Sequence, residues 1–206
     1  MPPERVVVTV WLKAFCKKYC AAAVGFQYVQ MSSKHCNKVM NRVLSGNIYE
    51  VMVPNEKKRY YQYIVKDSSQ LYGDVIRVFG RYYDKDASPT VEEIICDEID
   101  CYMHTAVGAG VKFGLWTYYG RNKDVGSKEV YFRDANDYGH YPGQRIVSHK
   151  WTVWKINGER KYVGTLPEEY YSAHIGLLFS PFSAAYRISH GCYKMKFYPL
   201  YGEGDM

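Results

Sequence analysis

The sequence predicts a mainly β fold, a sandwich or barrel, preceded by a short N-terminal helical segment. Three observations predict it. Aromatic residues make up 17% of the chain and 22 of its residues are tyrosines, a bias that suits pleated, half-buried surfaces. From about residue 48, short β-rich runs recur between Gly, Asp and Ser. Tyr60-Tyr61-Gln62-Tyr63-Ile64-Val65 and Asp74-Val75-Ile76-Arg77-Val78-Phe79 are the clearest. Finally, Lys150-Trp151-Thr152-Val153-Trp154-Lys155-Ile156 runs into Asn157-Gly158. That dipeptide takes up positive φ easily, so it predicts a hairpin. Several short strands at this spacing suit a sandwich or barrel.

Residues 1–47 read as the helical segment. Val8, Leu12, Phe15 and Tyr19 recur at three- and four-residue steps and so share a helical face. Pro2, Pro3 and Glu4 make a suitable start. A second helix is marked by Cys36, Val39, Met40 and Val43, with Ser32 or Ser33 as cap and Gly46 as its end. Residues 48–206 form the β domain. Within it, Val107-Gly108-Ala109-Gly110 reads as a turn, since it lacks the Lys-Ser/Thr ending of a phosphate loop. The Tyr/Gly stretch at 131–141 reads as a loop, and Lys57-Lys58-Arg59 as a solvated turn.

Composition narrows the class further. The 206 residues are 47% hydrophobic and 23% charged, which predicts a packed core and excludes disorder. The net charge of +6 favours anionic partners. It is spread along the chain, so nucleic acid is not expected as a partner. No run reaches the ~20 apolar residues of a membrane span. The apolar run from Val6 to Leu12 is preceded by Glu4 and followed by Lys13, Lys17 and Lys18, a poor signal peptide. The six cysteines, Cys16, Cys20, Cys36, Cys96, Cys101 and Cys192, read mainly as small buried hydrophobes, because a chain this long needs no disulfide staples. Cys16, Cys20, His35 and Cys36 are too irregularly spaced for a zinc finger, and Cys96 with Cys101 is the pair weighed for a disulfide. His104, His140 and His149 read as structural or surface residues.

Two short stretches carry chemistry: His174-Ile175-Gly176, and Ser189-His190-Gly191-Cys192-Tyr193-Lys194, with fourteen residues between His174 and Ser189. A thiol becomes a nucleophile as its thiolate, and a nearby histidine promotes that change. This arrangement resembles the catalytic domain of the L,D-transpeptidase (YkuD-like) family, in which an upstream histidine precedes a Ser/Thr-His-Gly-Cys block. A weaker echo lies at Val107-Gly108 and Phe113-Gly114-Leu115-Trp116, where the family places a strand, a glycine turn and another strand. The sequence departs from the family at Lys194, which stands where the family carries arginine, and in ending 14 residues after Cys192.

The resemblance implies an L,D-transpeptidase-like β-sandwich with Cys192 as nucleophile and His174 as base. A carbonyl of Ile175 or Gly176 would fix the histidine tautomer. Amides of His190, Gly191 and Cys192 would form an oxyanion hole. Ser189 and His190 would shape the pocket, and Lys194, Gly176 and Tyr193 would contact substrate. It implies peptidoglycan stem peptides as substrate, acyl transfer through a Cys192 thioester to an amine or to water, no metal or organic cofactor, and a place in the cell envelope. Two other classes stand beside it: a wall-binding or structural protein on the same fold without turnover, and a nucleic-acid or virion-associated binding protein.

Overall fold

The computed structural model describes residues 42–137 and 147–193. The described residues fall within the larger of two units of the chain, Asn41–Met206. Of the helical segment expected over 1–47, residues 42–47 are described and are not helical: Ser45 and Gly46 form a turn and Asn47 opens a strand, so Val43 is not on a helix. The rest of that segment, the Cys16/Cys20/His35/Cys36 set, His140 and Lys194 lie outside the described residues. The larger unit is mainly β, as expected, and holds two sheets.

In chain order the elements are β1 (Asn47–Val53), β2 (Lys57–Lys66), β3 (Asp74–Phe79), β4 (Tyr83–Asp84), α1 (Val91–Ile95), β5 (Ile99–Thr105) and α2 (Val107–Lys112). They continue with β6 (Thr117–Arg121), β7 (Tyr131–Ala135), β8 (Trp151–Lys155), β9 (Lys161–Gly164), a 3-10 turn (Glu168–Tyr170), β10 (His174–Ile175) and α3 (Pro181–His190). The larger sheet runs β5-β3-β2-β1-β6, with β4 also on β2; the smaller runs β10-β7-β8-β9. All pairs in the larger sheet are antiparallel, whereas β10 lies parallel to β7. A bridge between His104 and Leu178 ties the free edge of β5 to the segment after β10.

Side-chain alternation assigns each strand two faces. Tyr49, Val51, Tyr61, Tyr63, Ile76, Val78, Cys101 and Met103 pack under Val107 of α2 and Ala184 and Ile188 of α3. On the opposite face, Ile48, Tyr60 and Phe79 meet Ile94 of α1. Ile64, Val75 and Tyr102 on that face meet Phe132 and Trp154 of the smaller sheet. The middle of β2 is therefore buried on both sides, which explains its unbroken apolar and aromatic run.

The hairpin expected at Asn157-Gly158 is present. β8 and β9 pair antiparallel, and Asn157 takes a φ of 56°. Three other expectations are corrected. Val107-Gly108-Ala109-Gly110 is helical: it opens α2, and Asp74 accepts the Val107 N–H at 2.9 Å. This also removes the strand expected there from the family echo. The supposed loop from 131 begins as strand, β7, whose register on β8 pairs Phe132 with Trp154. Lys57-Lys58-Arg59 is not a solvated turn. The turn precedes it at Asn55 and Glu56, both at positive φ, and Lys58 and Arg59 are buried in β2. Their charges are met across the sheet, by Glu50 of the neighbouring β1 for Lys58 and by Asp100 of β5, far along the chain, for Arg59. Cys96 and Cys101 are both free thiols, one exposed and one buried. Among the described residues no helix is long and apolar enough to cross a membrane.

Candidate functional site

α3 places the cysteine block. Ser180 caps its start by accepting the Ser183 N–H, and Pro181 occupies the first turn, where a missing amide costs nothing. The helix ends at Gly191 in the left-handed conformation, φ 70°, a position suited to glycine. Ser189 and His190 are thus the last helical residues, and Cys192 follows the cap as an exposed thiol. The Gly191 N–H donates to Arg187 O at 3.0 Å, so the helix end uses the amide that the oxyanion hole would need. The His190 ring stacks on Tyr186 at 4.1 Å, and its Nδ1 lies 3.0 Å from Tyr186 O. His190 therefore braces its own helix. Tyr193 stacks on Phe179 and lies under the Arg187 guanidinium.

β10 places His174 where the two sheets meet. Its backbone pairs with Phe132 of β7, while its Nδ1 accepts the Tyr102 N–H of β5 at 3.4 Å. A donor thus faces Nδ1, and the proton of the neutral ring belongs on Nε2. The imidazole pKa is pushed down to about 4 by burial and by the positive charges of Arg133 and Arg187, against a smaller opposing effect of Asp100. His174 is therefore neutral at physiological pH. Among the described residues no hydrogen bond joins it to Cys192.

Gly176 is buried between the sheets, and its N–H donates to Arg133 O at 2.7 Å. A Cβ there would lie 2.1 Å from Trp154 Cη2. Packing alone accounts for this glycine.

The residues that dominate the site electrostatically were missed in the sequence. Asp100 accepts from both Nη atoms of Arg187, each at 2.8 Å, and from Arg59 at 2.8 Å. Arg59 also donates to Phe79 O and Ile188 O at 2.7 Å each, which fastens β2 to α3. Burial acts to raise the Asp100 pKa, but the hydrogen bonds from Arg187 and Arg59 outweigh it and hold the carboxyl below the usual carboxylate range. Two guanidinium groups thus share one carboxylate. A cleft of about 320 Å³ opens beside the cluster, lined by Arg59, Tyr82, Asp100, Gly191 and a second acidic residue, Glu98. Nearby, burial pushes the Cys101 thiol pKa up to about 12, leaving it an inert core group. Among the described residues no group of three or more His, Cys, Asp and Glu side chains could hold a metal ion. Arg59 and Asp100 could have been suspected only as polar residues inside apolar strands.

Comparison with known proteins adds one observation. An RNA-directed RNA polymerase of Striped jack nervous necrosis virus is 25% identical to this chain over 127 residues, which are 60% of this chain and 12% of that protein. No protein family matches the chain, and no solved structure matches it.

Proposed function

We propose that this chain is an RNA-handling part of a viral RNA-replication protein. The likeness to the viral RNA-directed RNA polymerase carries the reading. The match spans 12% of that protein, so a part of such a protein is proposed here, with RNA binding as its activity. The site is compatible with an anionic substrate. Arg133 and Arg187 place positive charge beside a neutral His174. Phosphates bind to such groups with release of counterions, so affinity falls as salt rises. The net charge of +6 is spread along the chain, so the polymerase likeness, and not the charge, carries the assignment to nucleic acid.

The test is fluorescence anisotropy with a labelled single-stranded RNA. The expected result is a log Kd that rises linearly with log salt. Its slope should be about 2–4, since each phosphate contact on a single strand contributes about 0.7. Binding that ignores salt, or no binding in low salt, would overturn the reading.

A second reading keeps the L,D-transpeptidase resemblance. Its support is the exposed Cys192 immediately after Gly191. The neutral His174, whose Nδ1 accepts the Tyr102 N–H, has to free a ring nitrogen before it can act as base. The reading also requires the 191–193 segment to swing toward His174, because that pair shares no hydrogen bond and a base needs hydrogen-bond reach. On this reading a carbapenem adds its mass to Cys192, and both Cys192→Ala and His174→Ala lose the adduct. An unmodified wild-type protein after prolonged incubation removes it.

A further inference from the structure

Asp67 and His104 form a wholly buried pair: both side chains have no solvent exposure, and His104 Nε2 lies 3.0 Å from Asp67 Oδ2. Neither belongs to the site described above. Asp67 stands at the start of the β2–β3 loop and organises it. Its Oδ1 accepts the Ser69 N–H at 3.1 Å and the Gln70 N–H at 3.2 Å. That loop clasps the β8–β9 turn of the other sheet. Ser68 N–H donates to Asn157 Oδ1 at 2.7 Å, Gln70 Nε2 to Gly158 O at 2.8 Å, and Asn157 Nδ2 to Lys66 O at 3.2 Å. His104 holds the segment leading into α3, because Phe179 N–H donates to its carbonyl at 2.9 Å.

We infer that the Asp67–His104 pair is an acid-opened latch that joins the two sheets, holding the β2–β3 loop on the β8–β9 turn at neutral pH and releasing it on acidification. The geometry sets the direction. With Nε2–H directed at the Asp67 carboxylate, Nδ1 carries the lone pair. That atom is buried and has no hydrogen-bond partner. A proton arriving there would be a buried donor without an acceptor, which is costly.

The surroundings offer no relief. β7 presents the Phe132 ring at 4.3 Å, Gly73 closes in from the β2–β3 loop, and Leu178, after β10, bridges to the His104 backbone. Asp67 is the charged group that acts on the ring; burial lowers the His104 pKa further than Asp67 raises it. The sign follows. The unfolded chain takes up this proton near the ordinary histidine value of about 6.5, and the folded chain only at lower pH. The stability that the neutral pair contributes is therefore complete above about pH 6.5 and is lost as pH falls from there toward the folded value. Asp67 remains ionised through this window, since its own pKa is lowered.

The test is an NMR titration of the whole chain from pH 7.5 to 4.5. It follows the imidazole signals together with the amides of Ser68, Ser69 and Gln70. The expected result is that these amides lose their native positions at the same midpoint as the His104 ring. His104→Gln, which keeps a donor for Asp67 but cannot titrate, should leave them native throughout. Asn157→Ala supplies an independent arm should that variant fail to fold. It loosens the clasp without touching the pair, and should move the His104 midpoint up toward the ordinary value by at least half a pH unit. Titration of His104 with unmoved loop amides, or an unchanged midpoint in Asn157→Ala, overturns the latch. A coincident midpoint with His174 instead would assign the acid response to the β10 site.

Discussion

Asp100→Ala is expected to lower the stability of the protein by about 3 kcal/mol. The substitution leaves Arg59, almost fully buried, and Arg187, largely buried, without the carboxylate that both share. Removing one partner from a buried ion pair costs roughly 3–5 kcal/mol, because an uncompensated charge remains in a weakly solvated place. The lower end applies, for two reasons. The Asp100 side chain is 24% exposed, so water screens part of the interaction. Arg59 also keeps its bonds to Phe79 O and Ile188 O. For a chain of this size each kcal/mol moves the melting temperature by about 2–4 °C. A drop of roughly 6–12 °C is the measurable consequence in a reversible thermal or urea unfolding series. A loss under ~1 kcal/mol would show that the carbonyls alone satisfy the arginines. The cluster would then be an open binding site rather than the bolt between β2, β5 and α3.

That cluster also shows where the sequence stops being informative. Local patterns were enough to predict β2, β3 and the β8–β9 hairpin, because alternation and Asn157-Gly158 encode strand and turn within a few residues. They were enough to mark Ser189-His190-Gly191-Cys192 as unusual. They could not show that Ser189 and His190 finish a helix, whose start signal is Ser180-Pro181, eight or more residues upstream. Nor could they show that Lys58 and Arg59 are buried. Lysine and arginine are almost never fully buried unless paired, and here the partners lie on other strands, with Asp100 41 residues from Arg59. His104 is a similar case. Its character comes from Asp67, 37 residues away, and from the Phe132 ring across the sheet junction. The helix over 107–112 was misread because its glycines suggest a turn. Gly110 in fact makes room for Trp116, whose ring would lie 1.8 Å from a Cβ there.

Gly176 separates a packing role from a substrate role, and the expected effect of Gly176→Ala is a loss of about 2–3 kcal/mol. The new methyl group would sit 2.1 Å from Trp154 Cη2 and 2.8 Å from Arg133 O. Neither neighbour can give way cheaply. Trp154 is almost wholly buried in the core shared by the two sheets. The backbone at Gly176 is pinned to β7 by its N–H bond to Arg133 O. Added atoms in a filled core cost typically 1–3 kcal/mol through displaced side chains and backbone, and a contact this short places the site at the upper end. The near-UV circular dichroism of the indole should change with it. Had Gly176 been kept for substrate approach, alanine would leave stability and the Trp154 signal untouched and affect only reactivity. The decisive measurement is a double-mutant cycle with Trp154→Phe, a smaller ring that vacates the space near the new methyl. Groups in direct contact couple by about 0.5–3 kcal/mol, so Gly176→Ala should cost at least 1 kcal/mol less in that background. An equal cost in both backgrounds would mean that the strain lies in the β10 backbone and not against the tryptophan.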